Sequence, residues 1–224
     1  MPGYTPPLNE TTSPYQFDGT IVVGGSNATA ALTPMTPMTV GLKAWTFPTY
    51  LAAGTSSGLA LIGSVYLAAV HLNASQTYSN IYINVRANIG TAQAGSCWAG
   101  IYNSGGSLVA TTNDISGVLG TAAGNTGYLA FPLSTAYTPP AAGVYWTALQ
   151  INSGTAVGSA PSFATPAGAL STLTTGANTV AGPVLTSGFP FAAVATTGAT
   201  ALPGTFALGS AIGTGAYVYW AGLA

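Results

Sequence analysis

Glu10, Asp18, Lys43, Arg86 and Asp114 are the only charged side chains in 224 residues, and His71 and Cys97 are the sole histidine and cysteine. Acid–base, metal or nucleophilic chemistry has to be assembled from this short stock. Glycoside hydrolysis commonly uses two carboxylates flanking one bond, yet Glu10 and Asp18 fall in a proline-rich N-terminal stretch and Asp114 follows a predicted hairpin. Gly54-Thr55-Ser56-Ser57-Gly58 fits the G-x-S-x-G nucleophile pattern, which works on a strand-turn-helix elbow of a parallel α/β sheet. Nothing around it has that pattern. His71 alternates with Val65, Leu67 and Ala69 and reads as a structural strand residue. His71, Cys97 and the scattered acids lack the spacing of a zinc site, and one cysteine forms no intrachain disulfide. The expectation is a non-enzyme with no catalytic residues, no metal and no cofactor.

The elements that would have to position such residues lack the usual ionic surface. Charged residues make up 2% of the chain, against about 25% in ordinary soluble domains. Two basic residues cannot neutralise a run of phosphates or form a polybasic membrane patch, so nucleic acid is excluded as a partner. The longest apolar run, Leu59 to Leu72, is interrupted by Gly63 and Ser64 and is too short to span a bilayer, so no membrane insertion is expected. Met1-Pro2-Gly3-Tyr4 lacks the basic and apolar regions of a Sec-type signal. A chain that is 48% hydrophobic can bury enough surface to fold. Its polar surface must then come from 32 Thr, 18 Ser, 11 Asn and 4 Gln, which makes it a surface of hydroxyls and amides.

Residues 1–40 hold six of the 15 prolines, all three methionines and two of the three acids. Thr33-Pro34-Met35-Thr36-Pro37-Met38-Thr39 favours extended or polyproline II backbone. This segment reads as an attachment arm, with one short strand expected within Gly19 to Gly25. An arm of this kind cannot form its own core, so it calls for a neighbour's surface or a symmetric companion.

Residues 41–224 read as one β-sandwich domain, because the period is 2 and no long segment sustains the 3.6 period of an amphipathic helix. The clearest strand places Ile81, Ile83, Val85, Ala87 and Ile89 on a buried face, and Tyr82, Asn84, Arg86 and Asn88 on a wet one. Further strands are expected near 43–50, 63–72, 96–102, 108–112, 127–133, 144–151 and 216–223. Asn103-Ser104-Gly105-Gly106 supplies a hairpin turn. The fold class is all-β, a jelly-roll-like antiparallel β-sandwich with an extended N-terminal arm. Long loops are expected across 153–212.

Trp98-Ala99-Gly100, Trp146-Thr147-Ala148 and Trp220-Ala221-Gly222 each set an indole two positions before a small residue, which leaves room for the ring. Core packing is one reading of these tryptophans; exposure for sugar stacking or subunit contact is the other. Arg86 lies on the polar face of its strand, where pairing with Asp114, contact with a neighbouring subunit and plain solvation all remain open. Arg86, Tyr82, Trp146 and Trp220 are the candidate surface, ligand or subunit contacts.

Gly63-Ser64-Val65-Tyr66-Leu67-Ala68-Ala69-Val70, the Asn80 to Asn88 strand, Trp98 to Ala110, Ala141-Ala142-Gly143-Val144-Tyr145-Trp146 and Tyr219-Trp220-Ala221-Gly222-Leu223 carry a resemblance. Over about residues 41–224 the chain resembles virion proteins, often called minor tail proteins, of phages that infect actinobacteria. The resemblance implies a β-sandwich displayed on a virion, commonly as a trimer, for host-surface attachment or capsid decoration. It implies as partners other virion proteins, reached through residues 1–40, sister copies in a homotrimer, and a host-envelope glycan or lipid. A decoration or head-fibre protein on the phage capsid is the nearest alternative, and a carbohydrate-binding module outside any phage is a further one.

Overall fold

The computed structural model describes residues 22–23, 26–27, 36–49, 52, 54–56, 64–87, 97–119, 126–151, 162–165, 192–196, 201–206 and 219–224. Contacts divide the chain into two units, Met1–Pro34 and Met35–Ala224. In the first, β1 (Val22–Val23) pairs antiparallel with β2 (Ser26–Asn27), Val22 facing Asn27.

The second unit contains β3 (Ala44–Trp45), β4 (Gly54–Ser56), β5 (Ser64–Leu72), β6 (Tyr78–Ala87), β7 (Cys97–Tyr102), β8 (Leu108–Thr111), β9 (Gly127–Tyr137), β10 (Gly143–Ile151), β11 (Ser162–Thr165), β12 (Ala192–Thr196) and β13 (Ala221–Leu223). A 3-10 turn covers Pro37–Val40, and one helical turn, α1, covers Ser116–Leu119. The first sheet has the order β12-β5-β10-β7-β8. In the second, β6 has β9 along one edge; β13 and then β11 follow its other edge, flanked by β3 and β4. All these pairings are antiparallel. The chain crosses between sheets from β5 to β6, β8 to β9 and β9 to β10, so the return strand β10 sits between β5 and β7. This is an all-β sandwich with the interleaved strand order of a jelly roll.

Alternation along each strand explains the layers. Inward residues Tyr66, Ala68 and Val70 of β5, Ile81, Ile83 and Val85 of β6, Ile101 of β7, Phe131 of β9 and Leu149 of β10 form the main core with Phe163 and Tyr219. Burying a large apolar side chain contributes about 1.5–3 kcal/mol, so this layer supplies most of the drive to pack the sheets. The sheets also join at one margin, where Thr112 bridges Leu133 and the Ser134 hydroxyl donates to Thr111 O at 2.7 Å. Across the core, Tyr219 OH donates to Thr147 Oγ1, which donates to Ala68 O, each at 3.1 Å.

Part of each outer face is covered as well. On the first sheet, Val65, Leu67, Tyr102, Trp146 and Ala148 form a second apolar cluster beneath Leu202 and Phe206. Leu108 N donates to Gly204 O, Phe206 N to Gly106 O and Tyr102 OH to Pro203 O, which ties residues 202–206 down. On the second sheet, Leu42, Ala52, Ala164 and Trp220 form a third cluster with Trp45, Phe47 and Tyr82 against it.

Several expectations change. The second face of β6 is only partly wet: Arg86 is exposed, but Asn84 is only 2% exposed and Tyr82 is half-buried against the cluster of Leu42, Ala52, Ala164 and Trp220. Within 153–212, β11 and β12 are strands that complete the two sheets rather than loops. Of the strand expected at 43–50, only Ala44–Trp45 pairs, and β9 runs on to Tyr137 past Pro132. Ala87 is exposed, while Asn88 and Ile89 lie outside the described residues.

Buried phenols make the sandwich sensitive to alkali. Burial raises the pKa of Tyr219 and Tyr102 well above the ordinary 10.0, and that of Tyr78 less far. Tyr137 is pushed up to about 12, chiefly by burial and also by its Tyr145 neighbour. A phenol with a raised folded pKa holds its proton more tightly folded than unfolded, so its stabilising share is complete below pH 10 and falls as pH climbs toward the folded value. The melting temperature is expected to decline from about pH 10 upward, with phenolate absorbance appearing together with unfolding. Phenolate absorbance that rises fully before the unfolding transition would contradict this.

Candidate functional site

Among the described residues, those with chemical potential are dispersed; Glu10 and Asp18 lie outside the described residues. Asp114 accepts from Cys97 N at 3.2 Å, Ser116 N at 3.0 Å and Ser116 Oγ at 2.6 Å, which fixes the start of α1 against β7. Cys97 is buried in the main core. His71 is exposed at the end of β5, opposite Val144. Ser56 is the last residue of β4, paired with Phe163 in an antiparallel ladder, and Ser57 and Gly58 lie outside the described residues. Among the described residues no three of His, Cys, Asp and Glu gather as a metal site.

The four candidate contacts separate. Arg86 is exposed and donates from Nη2 to Ala52 O, holding the segment that leads into β4. Trp146 is 3% exposed beneath Leu202 and Phe206, so its ring is a packing element of this chain and the expectation of a surface contact is corrected. Tyr82 and Trp220 do come together, on the outer face of the second sheet.

There a cleft of about 350 Å³ is lined by Val40, Leu42, Thr49, Tyr82, Tyr128 and Trp220, with Gly41 at its floor edge. Gly41 adopts φ 78° and closes the 3-10 turn, its N–H donating to Met38 O; this reversal brings Val40 and Leu42 to the rim. Register places Tyr82 between Gly222 and Ala130, and Asn84 opposite Tyr128. Gly222 leaves the space that Leu42 and Trp220 fill: a Cβ there would stand 2.7 Å from Leu42 Cδ1 and 2.9 Å from Trp220 Cη2. The Trp-x-small spacing noted in the sequence therefore does physical work at this position. Tyr128, 52% exposed, packs edge-on against Trp220, ring centroids 4.8 Å apart at 77°.

No family model matches the chain, and no curated protein matches it. The function of the cleft has to be read from its own atoms.

Two buried polar atoms on this face of the sheet are out of balance, Trp220 Nε1 in the lining and Asn84 Oδ1 outside it. Trp220 is 1% exposed and its Nε1–H has no hydrogen-bond partner; Asn84 Oδ1 is likewise buried and unpartnered. Leaving a buried polar group unsatisfied costs about 1–3 kcal/mol, so two on one face of one sheet call for an explanation. The cleft offers aromatic faces and apolar walls, and none of the residues lining it is charged. Tyr128, Leu42 and Thr49 were not singled out by sequence: the register of β9 on β6 brings Tyr128 to the cleft, and the segment around β3 brings Leu42 and Thr49.

Proposed function

We propose that this chain is a non-enzymatic phage virion structural protein of the minor tail type, docked through its N-terminal arm and displaying the β-sandwich for host-surface attachment. The observation that carries the attachment role is the aromatic cleft, an uncharged concavity on the outer face of the second sheet where exposed Tyr128 packs on Trp220 beside half-buried Tyr82. The virion setting is supported by the strand and turn resemblance over residues 41–224, and the arm role by the proline- and methionine-rich composition of residues 1–40. Sister copies in a homotrimer are the natural companions for such an arm.

Capsid decoration is the second reading, favoured by a sequence without any heptad or Gly-X-Y shaft. Immunogold labelling of intact particles separates the two, tail label supporting the first and head label the second. Because Val40, Gly41 and Leu42 belong to the cleft, the informative deletion ends at Pro34. Removing residues 1–34 is expected to abolish incorporation into particles while circular dichroism and melting show an intact β domain. Normal incorporation of the truncated chain would remove the docking role of the arm.

A further inference from the structure

We propose that the outer edge of β9 pairs antiparallel with β9 of a second copy of this chain, about a two-fold axis at Ala130. The contact joins the second sheets of two copies into one.

Register identifies the edge. Asn80 N donates to Ala224 O at 3.0 Å and Ala224 N to Asn80 O at 3.2 Å, so the backbone groups of Asn80, and by alternation those of Tyr82 and Asn84, point toward β13. Those of Ile81, Ile83 and Val85 point the other way and serve Phe131, Leu129 and Gly127 of β9. Tyr128, Ala130 and Pro132 therefore turn their backbone groups away from β6. Among the described residues no strand pairs with them; the next partner along β9 is Thr112, which bridges Leu133. Pro132 agrees with this assignment, because a strand proline sits where its missing N–H faces out of the ladder.

Natural sheet edges are ordinarily guarded by lysines, other charges or a covering segment. Strand β9 has no charged residue from Gly127 to Tyr137, and Tyr128, Ala130 and Pro132 are all exposed. A net charge of -1 offers almost no repulsion between copies.

The segment Tyr128-Leu129-Ala130-Phe131-Pro132 is complementary to itself when reversed. Ala130 exchanges both its backbone bonds with Ala130 of the second copy, and each Tyr128 N–H donates to the carbonyl of the other copy's Pro132, which leaves only the Tyr128 carbonyls to water. On the outer face each Tyr128 ring then lies opposite a Pro132. On the inner face each half-buried Leu129 lies opposite a Phe131, and the small central alanines let the strands close. A proline-rich partner fits less well, since it lacks N–H groups for the Tyr128 and Ala130 carbonyls. The overlap ends where Thr112 meets Leu133 and where Gly127, at φ 98°, turns the chain ahead of Tyr128. So short a ladder suits reversible association. It uses no residue of 1–34 and coexists with a trimer held by the arms. A two-fold axis normal to the sheet keeps both outer faces on one side, so the two aromatic clefts, each walled by its own Tyr128, open in the same direction. The pairing itself stands independently of the attachment role.

The test is sedimentation equilibrium and amide hydrogen exchange on the full chain, from low to high micromolar concentration. Particle mass is expected to double, and exchange of the Tyr128 and Ala130 amides to slow at least tenfold over the same range. Ala130→Lys sets two like charges opposite each other and should weaken the doubling several-fold, with unchanged circular dichroism and melting at low concentration, because the side chain is exposed. An equimolar mixture of Ala130→Lys and Ala130→Glu should associate more tightly than either variant alone. The proposal is overturned by a mass that never doubles, by doubling that leaves the Tyr128 and Ala130 amides unprotected, or by doubling equally strong in Ala130→Lys. Protection of these amides through growth beyond the doubled mass would overturn the two-fold, since an open chain of copies needs a different pairing.

Discussion

Trp146→Ala is expected to destabilise the sandwich by about 3–5 kcal/mol, the range for removing a large aromatic ring from a packed interior. The ring is 3% exposed and shares its cluster with Val65, Leu67, Tyr102 and Ala148, under Leu202 and Phe206. Its loss also loosens the segment 202–206, whose hydrogen bonds to Gly106, Leu108 and Tyr102 depend on that segment lying flat. Trp98, which is only partly buried, should lose clearly less on the same change. Denaturant unfolding of both variants is the measurement. Equal losses, or a Trp146→Ala protein as stable as the parent, would show that Leu202 and Phe206 do not seal this face.

Gly100→Ala is expected to cost about 1–3 kcal/mol, at the upper end of the range for overpacking. The added Cβ would stand 2.9 Å from Ala110 O and 2.7 Å from Leu202 Cδ1. A leucine methyl can swing away. The carbonyl cannot, because Ala110 faces Ile101 in the β7–β8 ladder and any retreat pulls that pairing apart. Gly222→Ala meets only side-chain atoms, Leu42 Cδ1 and Trp220 Cη2, and should cost less. Thermal melts rank them; a variant order with Gly222→Ala the more damaged would mean that the Leu42 and Trp220 pair is the more rigid obstacle.

Local sequence was a good guide wherever local chemistry decides structure. Asn103-Ser104-Gly105-Gly106 forms the hairpin turn, with Asn103 Oδ1 accepting from Gly105 N at 3.0 Å and Ser107 N at 2.9 Å and Gly106 at φ 82°. Ile81, Ile83 and Val85 alternate into the core as their spacing requires. Strands β11 and β12 were illegible because Ser162-Phe163-Ala164-Thr165 and Ala192-Ala193-Val194-Ala195-Thr196 are short and alanine-rich, so their pairing depends on the neighbours they meet and not on propensity. The cleft was legible only in part. Tyr82 and Trp220 could be singled out as aromatic residues on strands, whereas Tyr128 could not, because its place beside Trp220 is set by the register of β9 on β6 and not by its neighbours in sequence. Long-range register carries that information, and no window of sequence contains it.

Lys43, Arg86 and Asp114 each bind backbone of their own chain: Lys43 Nζ donates to Thr77 O, Arg86 to Ala52 O, and Asp114 accepts from Cys97 N and Ser116 N. The consequence is kinetic. Two positive charges and one negative project little field, and a partner approaching this sandwich feels almost no long-range pull. Encounter rates then belong near the unsteered range of about 10⁵–10⁶ M⁻¹s⁻¹, with little dependence on ionic strength. In the proposed attachment role, retention on a cell would have to be won after contact, by several copies on one particle rebinding before any one can escape.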